Sequence, residues 1–215
     1  QADVNGPVEI SNGVHLTEGA GASNGISFAS VILDRGEGRR PYDITLRYHP
    51  GVSVISQKNF GDEFKTLSVL HRLGFPVPEP LWLDERGDHL GRPTIIMARV
   101  VGDAPSSAMF SKGPLSSVSP EIRRSMMLEA VAFHGHLKKA EIGPEKVPHL
   151  RQRGIGNSAI ERELQFWIKE AAVACGNDRP ELQVVHMVAH WLIDNEPSTY
   201  PPVLVHGDAQ FANIM

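Results

Sequence analysis

The chain has 215 residues, of which 41% are hydrophobic and 21% are charged, and its formal net charge at pH 7 is -4. This composition is ordinary for a globular protein large enough to bury a core, and the acidic balance argues against a nucleic-acid partner. A single cysteine, Cys175, excludes an internal disulfide framework, and the longest apolar runs are too short to span a bilayer. We therefore expect a cytoplasmic protein that binds neither nucleic acid nor a membrane.

The first hundred residues have the pattern of an antiparallel sheet that carries one helix. β-prone runs over 26–33 and 43–48 lie between clusters of Gly and Pro. Apolar residues then recur at helical spacing from Phe60 until a stop at Gly74. Two further strands are predicted on either side of a turn at 86–92.

The second half of the chain has the pattern of a helical region. A stretch rich in Gly, Pro and Ser, residues 102–120, precedes it and predicts a hinge. Helical periodicity predicts helices over 121–140, 158–175 and 181–195, and the apolar run Val203–Val205 predicts a short buried strand. The expected organisation is an α+β fold with an N-lobe of residues 1–101, the hinge, and a mainly helical C-lobe of residues 121–215.

The glycine-rich stretch "TEGAGASNGIS" is a candidate phosphate-binding loop. It lacks the Lys-Ser/Thr pair of a P-loop, and Asn24 stands where a dinucleotide-binding loop needs its third glycine. A turn between two antiparallel strands that lies over nucleotide phosphates, as in protein kinases, fits the pattern better. An ordinary hairpin turn remains open on this stretch alone.

A basic residue in "DITLRYHP" has the position of a kinase phosphate-binding cation. Kinases place this cation on the third strand and pair it with a Glu on the following helix. Arg47 and Glu63 have this order and lie on these predicted elements. The alternative is that both are solvent-exposed charges.

The ending "HGDAQFAN" contains the most specific pattern. Asp208 and Asn213 are separated by four residues, the spacing of the kinase catalytic loop His-Arg-Asp-x-x-x-x-Asn. The Asp must orient the proton of an attacking hydroxyl, and the Asn carbonyl must reach a Mg²⁺ ion bound to the phosphates. Gly207 stands in place of the kinase Arg, which usually engages a phosphorylated activation loop, so the pattern favours a small-molecule kinase.

Taken together, "HGDAQFANIM" resembles the His-Gly-Asp-x-x-x-x-Asn-Ile signature of the aminoglycoside phosphotransferase and choline kinase superfamily. The resemblance runs from about Val14 to Met215 and includes "EGAGASNGIS" as nucleotide loop, "ITLRYHP" as third strand and "IIMARVVGDAP" as hinge. "AIERELQFW" and "HWLIDNEP" resemble the subgroup whose kinase domain is sometimes joined to acyl-CoA dehydrogenases.

The resemblance implies a bilobal, protein-kinase-like fold that transfers phosphate from ATP, with Mg²⁺, to a hydroxyl of a small molecule. It assigns Asp208 as catalytic base, Asn213 as metal ligand and His206 as support of the loop. The residues that it implies for nucleotide binding are Gly19, Gly21, Ser23 and Asn24 in the loop, Arg47 with Glu63, and the backbone of Met97, Ala98 and Val100.

Two features argue against an active kinase. Arg47 replaces the commoner Lys, and the second metal-binding Asp of the superfamily follows the Asn at a distance that lies beyond Met215. We therefore expect a truncated C-lobe and no activity from the chain by itself. The alternative function is a non-catalytic nucleotide-binding or scaffold module with the same fold.

Overall fold

The computed structural model describes residues 9–17, 24–49, 59–102, 116–152, 154–199, 203–209 and 213. The strands in these ranges are β1 (Glu9–Thr17), β2 (Gly25–Asp34), β3 (Arg39–Tyr48), β4 (Pro80–Asp84) and β5 (Thr94–Ala98). The helices are α1 (Phe60–Arg72), α2 (Pro120–Lys139), α3 (Ala159–Cys175) and α4 (Pro180–Asp194), with a short 3-10 helix at Pro148–Gln152. The predicted α+β fold class, with an antiparallel sheet followed by a mainly helical part, is confirmed.

All neighbouring strands of the sheet are antiparallel, in the order β1-β2-β3-β5-β4. The strands predicted at 26–33, at 43–48 and around 86–92 are present, and β1 lies before the glycine-rich stretch, where the sequence assigned no strand bounds. Asp34 shapes the turn between β2 and β3, because its carboxylate accepts the amides of Gly36 and Gly38 at 2.8 and 3.1 Å. Both glycines have positive φ, near 96° and 89°, which other residues rarely adopt.

The two faces of the sheet bury separate apolar clusters, because side chains alternate along each strand. One face carries a cluster made of Ala29, Val31, Leu33, Ile44 and Leu81. On the other face α1 packs against β4 and β5, and Phe60 joins Ile95 and Met97 in a second cluster. Arg47 lies directly opposite Ile95, so its side chain is on the α1 face.

Helix α1 begins and ends where the sequence predicts. Asn59 caps its first turn by accepting the amide of Asp62 at 3.0 Å, and Gly74 follows its end with φ near 77°. The helix carries Glu63 in its first turn, so the residue at which the cap begins the helix also fixes the position of this carboxylate against the sheet.

The later helices match the predicted segments to within one residue at each end. Helices α3 and α4 contact one another. Ser158 joins them, because its hydroxyl accepts the amide of Glu161 at the start of α3 and donates to Glu196, beyond α4, at 2.9 Å. Their apolar side chains enclose a groove of about 260 Å³ between Leu164, Trp167, Ile168, Val184, Val185, Val188, Ala189 and Leu192.

The prediction of a short buried strand at Val203–Val205 was wrong. These three residues have no regular structure, and Val205 is 71% exposed. A run of three apolar residues forms a strand only when a neighbouring strand supplies hydrogen bonds, and no described residue pairs with this run.

The chain divides into two compact units. One contains Gln1–Val100 and His149–Ser198, and the other contains Val101–Pro148 and Thr199–Met215. Most of the predicted hinge, residues 103–115, lies outside the described residues. The predicted division into residues 1–101, 102–120 and 121–215 stays a prediction. No helix in the described part is long and apolar enough to cross a membrane.

Candidate active site

Arg47 and Glu63 form an ion pair that joins the sheet to α1. Nη2 of Arg47, on the central strand β3, contacts Oε1 of Glu63 in the first turn of the helix. Register fixes Arg47 between Ile26 on β2 and Ile95 on β5. The structure therefore brings the predicted pair together, and the alternative of two solvent-exposed charges does not hold; the role of the pair toward phosphate stays a prediction.

Arg47 lies in a partly desolvated place. Only 27% of its side-chain surface is exposed, and burial lowers the pKa of its guanidinium to about 10. The group therefore remains a cation at neutral pH. Its Nε is buried and has no hydrogen-bond partner among the described residues. A buried N–H of this kind contributes a donor that an anionic ligand could accept.

Aromatic and aliphatic side chains accompany Arg47 on the same face of the sheet. Thr45, two residues before it, lies opposite Phe28 on β2 and Met97 on β5. The guanidinium of Arg99, just beyond β5, lies 4.5 Å from the centroid of the Phe28 ring. This face of the sheet thus carries a charge at Arg47, and two residues along β3 it carries the apolar side chains of Phe28 and Met97.

The segment predicted to bind adenine continues β5. Met97 is buried, Ala98 is half-buried and Val100 is exposed. The amide of Ala98 donates to the Glu79 carbonyl at 2.9 Å, and the amide of Arg99 donates to the Asp43 carbonyl at 3.0 Å. These two amides are engaged within the protein, so an adenine base would need a hydrogen-bond donor from elsewhere in the segment.

The glycine-rich stretch is only partly described. Gly19, Gly21 and Ser23 lie outside the described residues, and Asn24 immediately precedes β2. Gly25 begins that strand opposite Tyr48, and a Cβ at this position would collide with the Tyr48 ring. A larger residue at position 25 would therefore require the Tyr48 ring to move.

Asp208 and Asn213 contact each other in the loop at the end of the chain. Nδ2 of Asn213 donates to the Asp208 carbonyl oxygen at 3.0 Å and to its carboxylate Oδ2 at 2.8 Å. Both partners are acceptors, so the NH₂ group of the amide must face them. This contact uses the amide nitrogen of Asn213 and does not engage its carbonyl oxygen.

Gly207, between His206 and Asp208, gives the loop its bend. Its φ is near 82°, and a Cβ there would meet nothing within 4 Å. The backbone conformation therefore favours glycine at this position, although the space does not require it. The absence of the kinase Arg, interpreted from the sequence as the loss of a switch, also has this conformational reason.

His206 contacts a histidine on α2 that the sequence analysis did not assign to the site. The rings of His134 and His206 lie edge to face, with centroids 5.9 Å apart and an interplanar angle of 88°. His134 also meets Phe133 at 5.5 Å. The contact fits the predicted support of the loop by His206, and no local pattern could have named its partner 72 positions earlier.

A second unpredicted contact involves α1. Oγ1 of Thr66 lies 2.8 Å from Nε2 of His149 in the 3-10 helix, 83 residues further along the chain. No motif marks either residue in the sequence, so tertiary structure alone reveals the pair.

Comparison with known proteins identifies the family of the chain. A model of the phosphotransferase enzyme family matches residues 19–215. The chain belongs to this family. The resemblance to aminoglycoside phosphotransferases and their relatives, predicted from the sequence, is thereby confirmed.

Curated relatives of this phosphotransferase-family chain include acyl-CoA dehydrogenase family member 11 from Pongo abelii and from Homo sapiens. They are 28% and 27% identical over 172 residues, which cover 79% of this chain and 21% of each relative. The chain therefore spans about a fifth of the length of these relatives. The predicted relation to the subgroup associated with acyl-CoA dehydrogenases is confirmed.

A solved structure of a protein assigned as an aminoglycoside phosphotransferase, from Ralstonia eutropha, has the same fold. The TM-score is 0.58 at 20% identity, and the match covers 98% of this chain and 55% of that chain. At this level of identity the similarity establishes the kinase-like fold and leaves the substrate to the chemistry of the site.

Proposed function

We propose that this phosphotransferase-family chain uses ATP and Mg²⁺ and transfers the γ-phosphate to a hydroxyl group of a small molecule. The observation that supports this function most directly is the contact between Asp208 and Asn213. It places a carboxylate and an amide, two of the groups that phosphate transfer to an alcohol uses, within one short loop.

Asp208 would orient the acceptor hydroxyl and take its proton as the oxygen attacks phosphorus. Asn213 would contribute its amide oxygen to the metal, since its nitrogen is held by Asp208. An amide oxygen is a ligand type that Mg²⁺ accepts, so this one residue fits the ion. When bound, the ion neutralises negative charge on the phosphates. The protein itself supplies position and charge, which account for most catalysis of this reaction.

Arg47 would bind phosphate oxygens in place of the Lys found in many relatives. Its planar guanidinium can bind two oxygens at once, and Glu63 holds it in a fixed orientation. The loop residues Gly19, Gly21, Ser23 and Asn24 would contribute to the same phosphate site. The backbone of Val100 would supply an amide for the base, because those of Ala98 and Arg99 are engaged.

Removal of the base tests the proposal. Asp208→Asn keeps the size of the side chain and removes its ability to accept a proton, so transfer should fall by about 10²- to 10⁴-fold. Asp178→Asn, an exposed substitution in the turn before α4, is the matched control. Transfer of labelled γ-phosphate to a panel of hydroxyl acceptors should be measured for this chain and for any longer natural polypeptide that contains it. Turnover retained in Asp208→Asn contradicts the assignment.

Binding measurements distinguish the enzyme from the non-catalytic alternative. An ATP-dependent rise in melting temperature that requires Mg²⁺ supports the enzyme, since ligands that bind the native state stabilise it. A rise that is independent of metal, together with absent transfer, favours a nucleotide-binding or scaffold module. The proposed cytoplasmic location is tested separately by cell fractionation.

A further inference from the structure

The contact between Thr66 and His149 joins α1 to a segment that follows it by 83 residues. Thr66 lies one turn beyond Glu63, so the two side chains occupy neighbouring positions on one side of the helix. The same side of α1 therefore contacts Arg47 through Glu63 and the 3-10 helix through Thr66.

The direction of this hydrogen bond follows from a second contact. The Thr66 hydroxyl donates its only proton to the carbonyl of Asp62 at 2.8 Å. Its oxygen can then only accept from His149, so Nε2 of His149 carries a proton and donates it. The charged groups of α1 near the ring are Asp62 and Lys65, whose effects on a histidine oppose one another.

The hydrogen bond from His149 opposes rotation of α1 about its own axis, a motion that apolar attraction by itself does not oppose in a directional way. Helix α1 is held to the sheet by apolar contacts around Phe60, and apolar attraction has no preferred direction. Close packing of these side chains opposes a large rotation of the helix about its axis, so the hydrogen bond matters for small rotations. A directional hydrogen bond from His149 resists rotation, and rotation is the motion that would carry Glu63 away from Arg47.

We propose that His149 is a positioning residue of the nucleotide site, which holds α1 through Thr66 in the rotation that brings Glu63 to Arg47. The inference rests on the proposed function for its consequence, because Arg47 affects catalysis only if it binds phosphate. Its structural content, the coupling of His149 to the Arg47–Glu63 pair, stands apart from that function.

Three variants test the coupling. His149→Phe keeps a planar ring and removes the donor, Thr66→Val keeps the shape and removes the acceptor, and Thr66→Ser keeps the hydroxyl. Ser68→Ala is the matched control, because it removes an equivalent hydroxyl bond to a helix carbonyl, that of Phe64 at 2.7 Å. This control separates loss of the contact to His149 from loss of a bond within the helix.

ATP affinity, measured by titration calorimetry with Mg²⁺, should fall severalfold in His149→Phe and in Thr66→Val. It should fall by no more than about tenfold, the factor by which loss of one neutral hydrogen bond can shift the rotational equilibrium of α1. The double variant should bind ATP no more weakly than either single variant, since both remove the same bond. Thr66→Ser and Ser68→Ala should keep the parental affinity. Additive losses, or a loss in Ser68→Ala as large as in Thr66→Val, would overturn the inference.

A ligand-free measurement keeps the inference separate from the proposed function. If the parental chain does not bind ATP, the proposed function fails, and the interaction between Arg47 and Glu63 is then measured by a double-mutant cycle in urea denaturation. The equilibrium constant for this coupling should fall several-fold in the His149→Phe background and stay unchanged in the Ser68→Ala background. An unchanged coupling in His149→Phe refutes the positioning role whether or not ATP binds.

Discussion

The ion pair between Arg47 and Glu63 allows a prediction whose size follows from burial. Exposed ion pairs contribute up to about 1 kcal/mol, whereas breaking a buried pair costs about 3–5 kcal/mol. The side chains of Arg47 and Glu63 are 27% and 35% exposed, which lies between these limits. We therefore expect a coupling free energy of about 2 kcal/mol between the two side chains.

The two single substitutions should differ in cost. Glu63→Gln leaves the Arg47 cation in a place whose burial lowers its pKa to about 10, without its partner. Arg47→Met leaves the Glu63 carboxylate, which water reaches more easily. Glu63→Gln should therefore lower the free energy of unfolding by about 2–3 kcal/mol, and Arg47→Met by about 1 kcal/mol.

Urea denaturation of the parental chain, both single variants and the double variant gives the coupling free energy. The matched control is a double-mutant cycle on the pair Arg86–Asp88. Nη2 of Arg86 lies 2.8 Å from Oδ2 of Asp88, and the two side chains are 82% and 55% exposed. That surface pair should show a coupling below about 1 kcal/mol that vanishes in high salt. Equal coupling in the two pairs would refute the claim that Arg47 and Glu63 interact across a partly desolvated space.

Two further predictions concern the terminal loop and pH. Gly207→Ala and Gly74→Ala each place a side chain at positive φ, so each should lower the free energy of unfolding by about 1 kcal/mol. Only Gly207→Ala should also lower phosphate transfer. Equal transfer in both variants would contradict a role for the bend at Gly207. Burial lowers the pKa of His149 below its ordinary 6.5, against a smaller opposite effect of Asp62. As the pH falls, His149 therefore binds a proton in the unfolded chain before it does so in the folded chain. The stability that His149 contributes is thus complete above about pH 6.5 and declines below it. Parallel pH–stability curves for the parental chain and His149→Phe would contradict this.

Local patterns in the sequence determined much of this protein. β-prone runs over 26–33 and 43–48, and apolar spacing after Phe60, predict β2, β3 and α1, because strand propensity and helical period are properties of neighbouring residues. The four-residue interval between Asp208 and Asn213 likewise lies within one loop, and the structure brings the two side chains into contact, while their roles stay predictions.

Only tertiary structure decided which distant groups meet. Val203–Val205 has the composition of a strand but forms none, because a strand depends on a partner elsewhere in the chain. The contacts of His149 with Thr66 and of His134 with His206 depend on how separate elements pack, and residues at either end carry no local sign of them. Periodicity is set over a few residues, whereas these contacts are selected by the folding of the whole unit, so they became visible only in three dimensions.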